Sequence, residues 1–174
     1  LLMILCGCAK NNSGNDSATQ SPVGEATFCT VATGISDGTT ITSRAQFKPR
    51  ELGSSGLGGE GSAVDIKYAE VQILDSSGSI IQCGETSVSG NISLLVPKAA
   101  GTYTLKVLSR SNPESPYYRV SILNNPTNNE TYALSASFSL SGSETTAAVT
   151  LAAADSSGPK VLSGAFNIMN QIYI

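Results

Sequence analysis

At positions 102–108, Tyr103, Leu105 and Val107 alternate strictly with Thr102, Thr104 and Lys106. A period of two marks a strand with one buried and one solvated face, because successive side chains point to opposite faces of a sheet. The pattern recurs along the chain. Over 40–47 it puts Ile41, Ala45 and Phe47 on one face, and over 67–74 it does the same with Ala69, Val71 and Ile73. Further runs at 80–86, 92–96, 117–123 and 131–140 are separated by turn-forming clusters such as Asp75-Ser76-Ser77-Gly78, Val88-Ser89-Gly90-Asn91 and Ser141-Gly142-Ser143. The run at 144–153 is rich in alanine and suits a helix by propensity, but Thr145, Thr146, Val149 and Thr150 favour a strand. The expectation is an all-β fold, an antiparallel Greek-key β-sandwich of the prealbumin or immunoglobulin kind.

Composition narrows the chemistry. The chain has 174 residues, enough for one ordinary domain with a tail, and carries a net charge of −3. That balance argues against a nucleic-acid partner. There is no histidine, which removes Ser-His-Asp and Cys-His nucleophile pairs, His-bearing zinc sites and the commonest general base. No cofactor and no metal are expected.

The two ends read differently from the middle. Leu5-Cys6-Gly7-Cys8 resembles the bacterial lipobox, in which the cysteine is fatty-acylated and becomes the mature N-terminus; Cys8 is the lipidation candidate. The competing reading is a buried strand with two incidental cysteines. The polar stretch that follows, rich in Asn, Ser and Gly, is too poor in apolar residues to offset ordering entropy, and so reads as a flexible, disordered tether. At the other end Phe166, Met169, Ile172 and Tyr173 share one helical face, with Ser163 as a candidate N-cap. The apolar start without a preceding Met and the apolar Ile-Tyr-Ile finish lead us to expect a fragment of a longer lipoprotein. The expected organisation is the end of a signal peptide with the lipobox at 1–8, a tether at 9–24, a β-sandwich at 25–155, and a linker with the start of a short helix at 156–174.

Within the β region lies a more specific pattern. Ala69-Glu70-Val71-Gln72-Ile73-Leu74-Asp75-Ser76-Ser77-Gly78, then Gly84-Glu85-Thr86, then Gly90-Asn91-Ile92-Ser93-Leu94-Leu95-Val96-Pro97 and Gly101-Thr102-Tyr103-Thr104-Leu105-Lys106-Val107 together resemble a carboxypeptidase-regulatory-like domain. The resemblance spans 39–110. It departs from the family at Ser89, where Asp or Asn is usual before the second turn glycine, and in an inserted loop over 51–65. It implies a prealbumin-like sandwich and a non-catalytic module of bacterial surface proteins and some secreted peptidases.

Several constellations carry competing readings. Gly56-Leu57-Gly58-Gly59-Glu60-Gly61 satisfies G-x-G-x-x-G, but a dinucleotide loop needs a helix after it, and this one leads toward a strand; a mobile surface loop is the expectation. Cys29 and Cys83 suggest a disulfide in an oxidising compartment, against two separate buried thiols. Asp65, Glu70, Asp75, Glu85 and Asp155 lack the alternation of a calcium loop and read as solvated turn residues. Asn91-Ile92-Ser93 and Asn129-Glu130-Thr131 fit the glycosylation pattern, although a bacterial lipoprotein would rarely be modified there. Tyr117, Tyr118 and Arg119 suit a glycan or protein partner, or simply one core tyrosine with two solvated neighbours.

These readings favour a non-catalytic lipoprotein module, held by its lipid at the bacterial outer membrane in a structural or interaction role. The alternative is the accessory N-terminal domain of a secreted or surface hydrolase, a metallopeptidase whose catalytic part lies beyond residue 174.

Overall fold

The computed structural model describes residues 29–54, 56–111, 120–123, 130–154 and 162–172. The lipobox-like Leu5-Cys6-Gly7-Cys8, the 9–24 segment, Tyr117, Tyr118, Arg119, Asn129, Asp155 and Tyr173 lie outside these residues.

The described residues are mostly β. In chain order they form β1 (Gly38–Arg44), β2 (Gln46–Phe47), β3 (Arg50–Gly53), β4 (Gly56–Glu60), β5 (Val64–Asp65), β6 (Ala69–Leu74), β7 (Ile80–Glu85), β8 (Asn91–Pro97), β9 (Gly101–Ser111), β10 (Ala133–Leu140), β11 (Thr146–Ala148) and α1 (Leu162–Gln171). One sheet runs β11-β1-β8 and a second runs β10-β9-β6-β7. The alternating residues of both meet in a single core: Ile41, Ile92 and Val96 from the first, Val71, Ile73, Leu105, Val107, Leu134 and Leu140 from the second. The period-two run at 102–108 therefore sits in the middle of the larger sheet, with Leu105 and Val107 fully buried.

Local chemistry shapes the turns. Asp75 Oδ1 accepts hydrogen bonds from the Ser77 and Ser79 N–H groups and from the Ser77 hydroxyl. The Ser77 hydroxyl above all holds that carboxyl below its ordinary range. In the next turn Gly90 has φ +71°, and a Cβ there would lie 2.6 Å from the Ala45 carbonyl oxygen, so only glycine fits. Thr86, fully buried, accepts a hydrogen bond from Ala69 N–H at 3.0 Å and fixes the start of β6.

Three expectations are corrected. The insertion at 51–65 is not a bare loop: β3 pairs with β4, and β5 pairs with β2. Gly56, Gly58 and Gly59 of the G-x-G-x-x-G stretch lie in β4, whose extended backbone leads on to β5 and not into a helix. The run at 144–153 is extended, as its β-branched residues indicate, but β11 lies parallel to β1, with Thr40 opposite Thr146. The chain then follows β1 and β2 as far as Ala154, through Val149 N–H to Thr42 O and Ala154 N–H to Gln46 O. Direction is a matter of the route the chain takes, which alternation does not encode.

Ser163 is a further correction. It lies inside the first turn of α1 instead of capping it, and its hydroxyl donates to the Lys48 carbonyl. The helix packs against β9 and β2. Phe166 and Met169 are fully buried as the periodicity required, whereas Ile172 is 43% exposed. Asn170 takes the remaining inward place: its Oδ1 accepts from Lys67 N–H at 3.0 Å and its Nδ2 donates to Asp65 O at 2.7 Å.

A measurable consequence arises at the turn before β11. Glu144 accepts from the N–H groups of Ser141, Gly142 and Ser143, with Gly142 at φ +85°. These donors, Ser141 foremost, bring its carboxyl down to about 2 from an ordinary 4.5. A depressed carboxyl stabilises the fold above its unfolded value and loses that contribution as pH falls toward the folded one. We expect the Glu144 side chain to titrate near 2 by NMR, and Glu144→Gln to flatten the stability profile between about pH 4.5 and 2.

Candidate functional site

The outward face of the four-stranded sheet carries a group of charged side chains, Glu70, Glu85, Lys106 and Arg110. β6 is buried along its whole length, so Glu70 and Gln72, which point away from the core, are buried like Val71 and Ile73. A register shift between β6 and β9 at Ala69/Val71 lets the end of β9 swing over Glu70. Arg110 then meets it in a two-pronged ion pair, Nε to Oε2 at 2.6 Å and Nη2 to Oε1 at 2.9 Å. Gln72 adds a third donor, Nε2 to Oε1 at 2.7 Å. The guanidinium fork matches carboxylate geometry, which is why arginine serves at such a position.

Glu85 lies directly opposite Glu70 on β7. Its Oε2 is buried with no hydrogen-bond partner, and burial pushes its carboxyl above the ordinary range. The sheet thus holds two carboxyls abreast in different surroundings: Glu70 is paired with a guanidinium, and the pKa of Glu85 is raised by burial.

Beside this group lies a cavity of about 480 Å³, lined by Gln72, Lys106, Leu108, Arg110, Glu130 and Thr131 among others. It offers both signs of charge, amide and hydroxyl groups and an apolar wall, the mixture that holds a small polar ligand or a partner's side chain. A smaller cavity of about 280 Å³ lies where Ile122 and Tyr132 face Ala165 and Ile168 of α1.

At the far edge of the same sheet a disulfide joins Cys29 to Cys83, with Cα atoms 5.9 Å apart. Gln82 reinforces it. Its side-chain amide accepts from Ala32 N–H at 2.9 Å and donates to Leu95 O at 2.7 Å, tying the entering chain and both sheets to β7.

Several sequence-based assignments change on this evidence. Glu70 is no solvated turn residue: it is 1% exposed, mid-sheet and ion-paired. Glu85 lies on β7 and not in a turn. Asp65 pairs with the Arg44 fork, whose hydrogen bonds lower its carboxyl. Among the four of these carboxylates that lie in the described residues, Asp75 alone keeps the turn role foreseen for it. Asn91 opens β8 at an exposed position. Arg110, Gln82 and Asn170 were not singled out from sequence. The available signal for Arg110 was its parity with Lys106 on the polar face of β9, which says that it points outward but not that the outward face is covered.

Among the described residues no group of three or more His, Cys, Asp or Glu side chains could hold a metal ion, and no helix is long and apolar enough to cross a membrane. No protein-family model matches the chain, and no curated protein matches it either. The functional reading therefore stands on residues and geometry.

Proposed function

We propose that this chain is a membrane-anchored, non-catalytic module of the bacterial envelope, lipidated at Cys8, with a Greek-key sandwich of the prealbumin-like kind as its body. The observation that carries this reading is the Cys29–Cys83 disulfide. Disulfides form and persist in exported proteins, where the compartment is oxidising. This one ties Cys29, at the start of the described residues, to β7. A lipid at Cys8, the polar 9–24 stretch and a covalent clamp on β7 form a consistent series: load applied through that stretch meets the cross-link ahead of β1. The sandwich reading draws support from the two sheets sharing one core, with the chain passing from β7 to β8 and back to β9 between them. The polar cavity beside Arg110 is the surface offered to a protein or glycan partner.

Fractionation tests the anchor. The wild-type chain, expressed with its native leader in a bacterial host, is expected in the membrane fraction, and Cys8→Ser in the soluble envelope fraction. Equal retention of both forms at the membrane would remove the anchor from the reading.

A further inference from the structure

Among the described residues, the outer strand β10 has an edge that no strand covers. Natural sheets protect such edges with lysine, proline, bulges or short strands. β10 runs for eight residues, Ala-Leu-Ser-Ala-Ser-Phe-Ser-Leu, without a charge or a proline. It keeps an unbroken register with β9 from Ala133 opposite Leu108 to Leu140 opposite Gly101. Just before it, Ser109 N–H donates to Tyr132 O. Antiparallel alternation then directs the backbone groups of the even-numbered residues toward β9, and turns the N–H and C=O of Ala133, Ser135, Ser137 and Ser139 outward. Among the described residues no strand pairs with that side.

We infer that β10 pairs antiparallel with β10 of a second copy of this chain, about a two-fold axis at Ala136. The edge is self-complementary in that register. Ala133 faces Ser139 of the other copy and Ser135 faces Ser137, so all four outward residues exchange hydrogen bonds, about eight in total. Side-chain parity is kept. On the core side Leu134 meets Phe138, and Ala136 meets Ala136, which covers the half-exposed Ala136 and Phe138 at the rim of the core. On the outward side only serine and alanine meet, so each copy's charge of −3 stays away from the contact. An unrelated peptide would need this same alternation and neutrality; a second copy supplies both by symmetry. The result is one continuous sheet of two four-stranded halves. The pairing does not depend on the lipid anchor.

The test uses the full chain with Cys6→Ser and Cys8→Ser, so that an introduced thiol is the only free one. Sedimentation equilibrium is expected to show a dimer at micromolar concentration. Ser135→Lys with Ser137→Lys sets like charges opposite one another on a solvent-facing surface; it should weaken the dimer more than about tenfold while leaving the circular dichroism of the fold intact. Under oxidation Ala136→Cys should cross-link rapidly, because opposed Cα atoms at a non-hydrogen-bonded site lie about 4.5 Å apart, within the range of roughly 4.4–6.8 Å that a disulfide spans. Ser139→Cys should not, since its two copies lie six residues out of register, about 20 Å apart. A monomer throughout, equal cross-linking at 136 and 139, or a double-lysine chain that dimerises unchanged would each overturn the inference. Should the double-lysine chain fail to fold, the contrast between 136 and 139 decides.

Discussion

Glu70→Ala is expected to lower the folding free energy by about 3–5 kcal/mol, read by urea or thermal unfolding. The carboxylate is 1% exposed and accepts from Arg110 and Gln72. Taking it away leaves the guanidinium buried with its principal counter-charge gone and strands a buried amide donor, and the desolvation cost of the remaining charge outweighs the loss of the contact itself. Glu70→Gln should cost less, because it keeps the volume and part of the hydrogen bonding. The double variant Glu70→Leu with Arg110→Met should recover much of the loss, since apolar side chains of similar size often replace a buried ion pair at no net cost. Strong coupling in this double-mutant cycle would identify the pair as one unit. A loss under about 1 kcal/mol for Glu70→Ala would place the pair with exposed surface ion pairs and contradict the burial described above.

How far this cluster was legible in the sequence follows from what alternation encodes. Parity placed Ala69, Val71 and Ile73 on one face of β6, and Tyr103, Leu105 and Val107 opposite Thr102, Thr104 and Lys106 on β9, and that division holds in the structure. Parity assigns a side chain to a face but carries no information on whether another segment covers that face. Glu70 was therefore read as solvated, the right expectation for an exposed sheet face and the wrong one for a strand buried on both sides. The register shift that brings Arg110 over Glu70 is a tertiary fact with no local signature. The same reasoning separates the hits from the misses in α1. A helical period selected Phe166 and Met169, whose burial is apolar. It passed over Asn170, whose inward place is set by hydrogen bonds to Lys67 and Asp65, far away in the sequence. Turn chemistry fared better because it is local: Asp75 and Gly78 act within a few residues of themselves.

Removing the disulfide by Cys29→Ser with Cys83→Ser is expected to cost about 4 kcal/mol, the chain-entropy value for a loop of this length. The two cysteines are 54 residues apart, and the loop they close contains β1 through β6 and most of β7. Reduction of the wild-type protein should destabilise it by a similar amount, because both treatments release the same unfolded-state freedom. The wild type should also show a non-reducing mass two hydrogens below that of the dithiol. The size of the loss separates two ways of holding the edge of β7. If Gln82 alone secured the entering chain, through Ala32 and Leu95, the cross-link would add little and the variant would lose less than about 1 kcal/mol, within the reach of one or two neutral hydrogen bonds. A loss near the entropic value would mean that the staple acts on the unfolded chain and the amide on the folded one, so their effects add. The amide fixes where the chain enters at Ala32, and the covalent link keeps that entry closed when the strand beneath it opens locally.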